Sequence, residues 1–469
     1  MDSTTRDRPT PWTGYTSPDC FDEVFTSDGQ VRPQYTALFE ELGRTDLDAC
    51  AGDIRALIDE RGVAFGGEAG HPFALDPVPR ILTREEWTQV ADGVRQRVRA
   101  LEMFLDDVYG DQRAVAEGVV PGHVVAESAY FERDLVGIRP AGGARISLAG
   151  LDVVRDGDGS FLVLEDNVRT PSGLAYAMAA SEAVAHVLPK IQPAAETGEE
   201  SVAALRRAME AAAPDVEGEL VLLTDGEENS AWYEHHRIAE MGGLVLATPE
   251  ELSRRGNEVR LRDGRRVRSL YRRTGEDRVR EESGAFTPLA ELLLEPLREG
   301  TVGVVNWFGN GVADDKNVYA YVEDLVRFYL DEEPTIRSVP TYDLQDDARR
   351  EEVLDRLAEL VVKPRAGQGG EGVVVGPTAT VDQLREAATA IRAEPQDWIV
   401  QDVVQLSTHP TVVDGRLAPR HVDLRPFAIY DVQDVVVPPG GLTRVALQEG
   451  SMVVNSSQEG GGKATWVAS

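Results

Sequence analysis

Lysine is nearly missing from this chain: four of its 469 residues are lysine, while lysine and arginine together number 48. Arginine therefore serves as the ordinary surface cation, and a retained lysine marks a position where a compact point charge, such as a phosphate contact, is wanted. Three of the four lie in glycine- or acid-marked motifs: Asp314-Asp315-Lys316, Val362-Lys363-Pro364 and Gly462-Lys463. Lys190 has no such neighbourhood, and it represents the plain alternative, compositional drift. Cysteine is as scarce. Cys20 and Cys50 lack metal-ligand spacing and cannot build a disulfide framework, so they fit a reducing cytoplasm as small apolar fillers. No apolar run approaches the ~20 residues of a membrane span, and the first residues carry no apolar core of signal-peptide length. Positive charge is in deficit too, with 81 acidic residues and a formal net charge of -33. That balance argues against nucleic-acid or anionic-membrane partners. A soluble cytoplasmic protein is expected.

What remains is ample for a core, since 42% of residues are apolar, and the length calls for two or three domains. Residues 1–28 read as a polar, proline-marked arm. Helical spacing dominates 31–111, as in Val94, Val98, Leu101, Phe104 and Leu105. Residues 146–170 read as a β-hairpin turning at Asp156-Gly157-Asp158-Gly159, followed by a helix from about Leu174 to Val187. From Glu219 to Ala247 the order strand, helix, strand predicts a parallel βαβ unit. The last third gives strands at Leu360–Lys363 and Gly372–Val375, a helix at Val381–Ala393, and strands near Trp398–Val404, Arg420–Ala428 and Thr443–Leu447.

Chemistry concentrates in two constellations. Glu165 and Asn167 are two apart on a predicted strand and project from one face. A hairpin loop of even length across 156–159 puts Asp152 on that same face, opposite or diagonal to Glu165. Two carboxylates and an amide oxygen are hard ligands that suit magnesium; a solvated hairpin face is the bland alternative. The polar turn Arg169-Thr170-Pro171-Ser172-Gly173 then resembles a site loop, with Arg169 and Ser172 as candidate substrate contacts. The second constellation is Lys363 with Gly367, Gly369 and Gly370. A lysine at a strand end reaches polyphosphate oxygens while glycine backbone N–H groups close over them. It matches neither the Walker loop nor the dinucleotide fingerprint. Arg272 and Arg273, at a strand end, are candidates for a substrate carboxylate. Glu234, beside His235 and His236, is expected to contact substrate from a helix face.

Taken in order, six stretches resemble the circularly permuted ATP-grasp family of the glutathionylspermidine synthase type. They are Val163–Gly173, Tyr271-Arg272-Arg273, Gly311–Lys316, Val362-Lys363-Pro364 with its glycines, Asp423–Phe427, and Val453–Gln458. The resemblance implies an α/β (α+β) chain with a permuted ATP-grasp fold, a βαβ pre-ATP-grasp-like domain and a helical N-terminal region. The expected division is a 1–28 arm, a 29–200 helical region with the metal hairpin, a 201–335 substrate domain, and a 336–469 nucleotide-binding part. By the same resemblance Asp152, Glu165 and Asn167 hold Mg2+, and Lys363 and Lys316 contact ATP phosphates. Gln401, Asp402 and Val403 offer backbone to the adenine edge, and Arg425 stabilises the transferred phosphoryl group, with Lys316 and Asn455 beside it. The implied activity is ATP-dependent joining of a carboxylate to an amine or thiol through an acyl phosphate, on small molecules or a peptide. A non-catalytic nucleotide-binding scaffold and a phosphotransferase stay open. The family's acid next to the C-terminal lysine is Ala464 here, which leaves Lys463 without an assigned part.

Overall fold

The computed structural model describes the chain apart from residues 1–9, 11, 18, 67–69, 192–197, 276–277, 368–371, 431–433, 453, 455–459 and 469. Gly369, Gly370 and Asn455 of the expected site lie outside the described residues.

A ten-stranded sheet forms the body. Its path runs Arg337–Ser338, Phe161–Asn167, Leu148–Arg155, Arg416–Arg425, Leu442–Val445, Gly461–Val467 and Leu75–Leu82, with three further strands attached. The expected hairpin is its centre. Leu148–Arg155 is buried at every position, so its near-continuous apolar run suits a strand covered on both faces. The chain then reverses through Gly159, whose φ of +89° favours glycine. Distant sequence closes the sheet, because Leu424 pairs with Val153 and Phe427 with Gly150. The strands between Thr408 and Val467 thus lie with the hairpin, so the two ATP-grasp stretches expected on either side of the βαβ section meet in one sheet.

The helix Arg84–Val108 packs beneath the sheet. Thr83 and Glu86 form a capping box at its start, and Val90, Val94, Val98, Leu101 and Leu105 form its buried stripe. From that helix Arg97 reaches Asp166 bidentately, at 2.6 and 2.8 Å. Asp166 therefore points away from the face that carries Glu165 and Asn167, as strand alternation requires.

A second, parallel sheet has the order Gly303–Val305, Val267–Arg272, Glu219–Leu223, Val245–Ala247, and the helix Trp232–Gly242 links its last two strands. This is the βαβ unit read from sequence. A third sheet, Thr341–Asp343, Trp398–Asp402, Leu360–Pro364, Val374–Val375, has its own small core that includes Leu344, Val362, Ile391 and Val400. The helix Val381–Ala393 begins on a Thr380 capping box. Both cysteines are free thiols, and among the described residues no helix is long and apolar enough to cross a membrane.

Near the C-terminus, Gly461–Val467 is a buried strand between Leu442–Val445 and Leu75–Leu82. Lys463 is fully buried there, paired to Asp76 and donating to the Pro410 carbonyl at 3.1 Å. It holds the sheet together.

The Arg97–Asp166 pair is removed from water on both sides, so deleting one partner strands a charge. Arg97→Met is expected to destabilise the protein by about 3–5 kcal/mol, and Arg97→Met/Asp166→Leu to recover most of that loss. Urea unfolding of the wild type and both variants checks it.

Candidate functional site

The hairpin register decides the site. Asp152 lies directly opposite Glu165, and Asn167 opposite Gly150, with a bulge at Leu164 between the Asp152 and Val153 pairs. Such bulges re-aim side chains at functional edges. Gly150 leaves room that a side chain would fill: a Cβ there would stand 2.9 Å from Pro171 Cβ and 3.3 Å from Arg425 Cδ. Asp152, Glu165 and Asn167 then line one cavity of about 280 Å3. Its walls carry five cations, Arg169, Lys316, Arg365, Arg425 and Arg444, against three carboxylates. In a chain of net charge -33 this cavity is locally positive.

Each carboxylate has cationic partners. Arg425 donates through Nε to Asp152 Oδ1 at 2.7 Å, and Arg444 Nη2 lies 2.8 Å from Oδ2. Burial alone would raise the Asp152 carboxyl, but the Arg425 and Arg444 guanidiniums outweigh it and hold it below its ordinary value. Arg444 also pairs with fully buried Asp423, its cross-strand neighbour, whose own carboxyl is raised by burial. Glu165 Oε1 lies 2.9 Å from Lys316 Nζ, which also donates to the Gly367 carbonyl at 2.9 Å. Burial works against the Lys316 charge, yet Glu165 prevails and raises its pKa. Asp314 accepts from the Val168 and Arg169 backbone at 2.7 and 3.0 Å, while the Arg169 guanidinium lies 4.3 Å over the Tyr130 ring.

Lys363 differs from all of these. It ends an inner strand of the small sheet, is half-buried, and shares a recess with Glu165, Lys316 and Gln401, yet among the described residues it has neither hydrogen bond nor ion pair. Burial pushes its ammonium down to about 8, with Glu165 pulling the other way. Among the described residues two further buried polar atoms nearby lack hydrogen-bond partners, Asn167 Nδ2 and Gln401 Oε1. Buried polar groups left unmet in this way are uncommon in folded proteins.

Other expected site residues lie behind the cavity wall, which corrects their reading as direct substrate contacts. Glu234 is buried and caps the helix Leu174–Val187, accepting from the Gly173 and Ala175 backbone at 2.9 and 3.0 Å. Arg273, also buried, donates to Glu234 at 3.0 Å, to Ser172 Oγ at 2.6 Å and to the Pro171 carbonyl at 2.7 Å. Arg272 is buried against Phe308, 5.1 Å from the ring centroid. These residues shape the 171–175 loop, so that Ser172 lines the cavity and its carbonyl accepts from Arg425 at 3.1 Å. Trp398–Asp402, whose end was expected to offer backbone to an adenine edge, is an inner strand flanked by Thr341–Asp343 and Leu360–Pro364. Val403 follows the strand's end.

Sequence reading missed Arg444, Asp314 and Arg365. Only the pairing of Asp423 with Arg444 gives the first away, and among so many arginines that signal is lost. Arg365 clamps Asp315 bidentately, at 2.8 Å for each bond, and so ties the small sheet to the body.

Residues 79–446 match the family described as circularly permuted ATP-grasp type 2. This chain belongs to that family. It is 43% identical to an uncharacterized protein of Mycobacterium tuberculosis, over 97% of this chain and 86% of that one. A Frankia alni protein provisionally named a glutamate–cysteine ligase is 46% identical over 96% of this chain, which spans 54% of its length. Among solved structures, a glutathione synthetase-like effector from Globodera pallida in its apo form shares the fold. Its TM-score is 0.61 at 12% identity, covering 90% of this chain and 98% of that one. The motif resemblance is borne out for family and for the permuted ATP-grasp fold.

Because the Lys363 ammonium is lost as pH rises through about 8, a polyanion that relies on it should bind more weakly above that value. Affinity for inorganic triphosphate is expected to fall about tenfold between roughly pH 7 and 9, and to be weak and flat in Lys363→Met. Isothermal titration at a series of pH values measures this.

Proposed function

We propose that the protein is an ATP-dependent ligase that joins a carboxylate to an amine or thiol, releasing ADP and phosphate. The observation that carries the reading is Lys363: a half-buried ammonium without a partner among the described residues, sharing a recess with Glu165 beside a cavity walled by five cations. Family membership supports the use of ATP, and the names of the Frankia relatives support ligation.

Asp152, Glu165 and Asn167 supply two carboxylates and an amide from one strand pair, a donor set suited to Mg2+ with phosphate oxygens and water completing its shell. They are the residues that would hold the metal, which shields phosphate charge when bound. Lys316 and Arg425, engaged with those carboxylates here, are then the cations available to phosphate oxygens. Lys363 takes the polyphosphate from the small-sheet side. Arg425 lies between Asp152 and the Ser172 carbonyl, and stabilises charge on the transferred phosphoryl group. A substrate carboxylate attacks the γ-phosphorus, ADP leaves, and the amine or thiol displaces phosphate from the acyl phosphate. Positioning and electrostatics suffice, and no protein nucleophile is used. Arg169 and Ser172 on the cavity rim orient the carboxylate substrate.

Glu165→Ala is expected to lower substrate-dependent ADP release by at least about 100-fold while leaving the circular dichroism spectrum unchanged. A panel of carboxylates and amines, read by ADP release and product mass, supplies the assay. Unchanged turnover removes Glu165 from the mechanism, and a phosphorylated product that added amine does not consume identifies a phosphotransferase instead.

A further inference from the structure

The reaction cavity is small. Its 280 Å3 falls at the lower edge of the ~300–1,000 Å3 typical of small-molecule pockets, and charged side chains fill its walls. With the end of a triphosphate inside, it has room for the reacting end of a second substrate and little more. A larger cavity of about 670 Å3 opens on the outer face of the helix Trp232–Gly242, whose inner face carries Glu234. Adjacent residues, Ala64 and Phe65, line one cavity each. Phe65 lines the first and Tyr233 the second, and the ring of Tyr176 stands between them at centroid distances of 5.9 and 5.4 Å. Phe65 and Tyr233 are therefore no more than about 11 Å apart, a distance that roughly three or four extended residues span.

The walls of the larger cavity define what it accepts. Trp232, Tyr233 and His236 offer aromatic faces, while Arg61 and Arg237 stand beside Glu182 and Glu240. Arg61 pairs with Glu182 at 2.8 Å, and Arg237 reaches Glu182 at 3.4 Å and Glu240 at 3.2 Å. All four side chains are at least a third exposed, so these pairs add little to stability and are exchangeable for the charges of a ligand. Mixed sign disfavours a polyanion, which meets the glutamates, and a polycation, which meets the arginines. A chain carrying both an ammonium and a carboxylate, with apolar or amide surface between them to lie on the rings, satisfies every wall.

We infer that the larger cavity binds the distal residues of an extended peptide substrate whose reacting end lies in the Asp152–Glu165 cavity. The catalytic half of this statement rests on the ligase reading; the binding half does not.

The test is isothermal titration of the full chain with the pentapeptide Glu-Gly-Gly-Gly-Lys, the dipeptide Glu-Lys and spermidine, with and without a non-hydrolysable ATP analogue. The pentapeptide is expected to bind about tenfold more tightly than the dipeptide, and Arg237→Gln and Trp232→Ala each to weaken it about tenfold. Affinity for the analogue should stay unchanged in both variants, and thermal melts check that they fold. A pentapeptide no tighter than the dipeptide, affinity unaltered in both variants, or tighter binding of spermidine overturns the inference. Failure of the analogue to bind wild type strikes the ligase reading alone, since the analogue-free titrations still decide the peptide site.

Discussion

Asp152 is the point on which the rest of the site depends. It belongs to the hairpin, yet its two oxygens are taken by Arg425 and Arg444, arginines from strands more than 270 residues later in the chain. Taking these charges out of water is costly, and the Coulombic return only roughly repays it. Stability alone is therefore a poor reason for placing them at the centre of a sheet. What the arrangement supplies is position: a carboxylate kept ionised, two guanidiniums fixed by it, and a cavity whose polarity is set before any ligand arrives.

A second layer gives that centre its rigidity. The Asn306 side chain accepts from the Ser147 and Leu148 backbone and donates to the carbonyls of Leu148, Val168 and Arg169. One buried amide thereby joins the start of the hairpin to the loop that leaves it. Glu234 and Arg273 continue the support from Pro171 to Ala175. On the other side, Arg365 on Asp315 and Lys316 on the Gly367 carbonyl bring the small sheet to the body. Adjacent residues in one motif, Asp315 and Lys316, thus receive the glycine-bearing turn that follows Lys363. Supporting shells of this kind fix the rotamers of the side chains they hold.

Legibility in the sequence followed the range of the interactions. The hairpin and the helices Leu174–Val187 and Val381–Ala393 rest on local periodicity and turn chemistry, and those were readable, whereas Asp152 faces Glu165 only because the bulge at Leu164 offsets a loop of odd length, not the even one expected. The partner of Asp423 was not, because cross-strand register between Arg416–Arg425 and Leu442–Val445 is a tertiary property. Glu234 looked like a substrate contact since a carboxylate beside histidines carries no mark of its role. Its capping of a helix 60 positions upstream exists only after folding. Gly461–Val467 had no assigned element in the sequence, because its small residues serve a tertiary need: close packing against Phe73, where a Cβ on Gly462 would lie 2.2 Å from the ring. Lysine scarcity pointed to Lys316 and Lys363 and equally to Lys463, whose charge is spent inside the fold.

The chain's charge sharpens the meaning of those two lysines. A formal -33 repels an anionic nucleotide at long range, yet at physiological salt the Debye length is only ~8 Å, so distant surface carboxylates are largely screened from the cavity. Recognition is left to groups within that distance, and there the sign is reversed by Arg169, Lys316, Arg365, Arg425 and Arg444. Four of these five are arginines, and three of those arginines are committed to buried or half-buried carboxylates in fixed geometry. Lys316 spans two segments and Lys363 none, which suits ammonium groups on flexible stems that can follow a phosphate chain rather than define a plane. In a chain that otherwise builds its cations as guanidiniums, the proposed ligase reading gives a physical division of labour: arginine fixes the walls, and lysine is kept where a bound phosphate chain would complete the coordination.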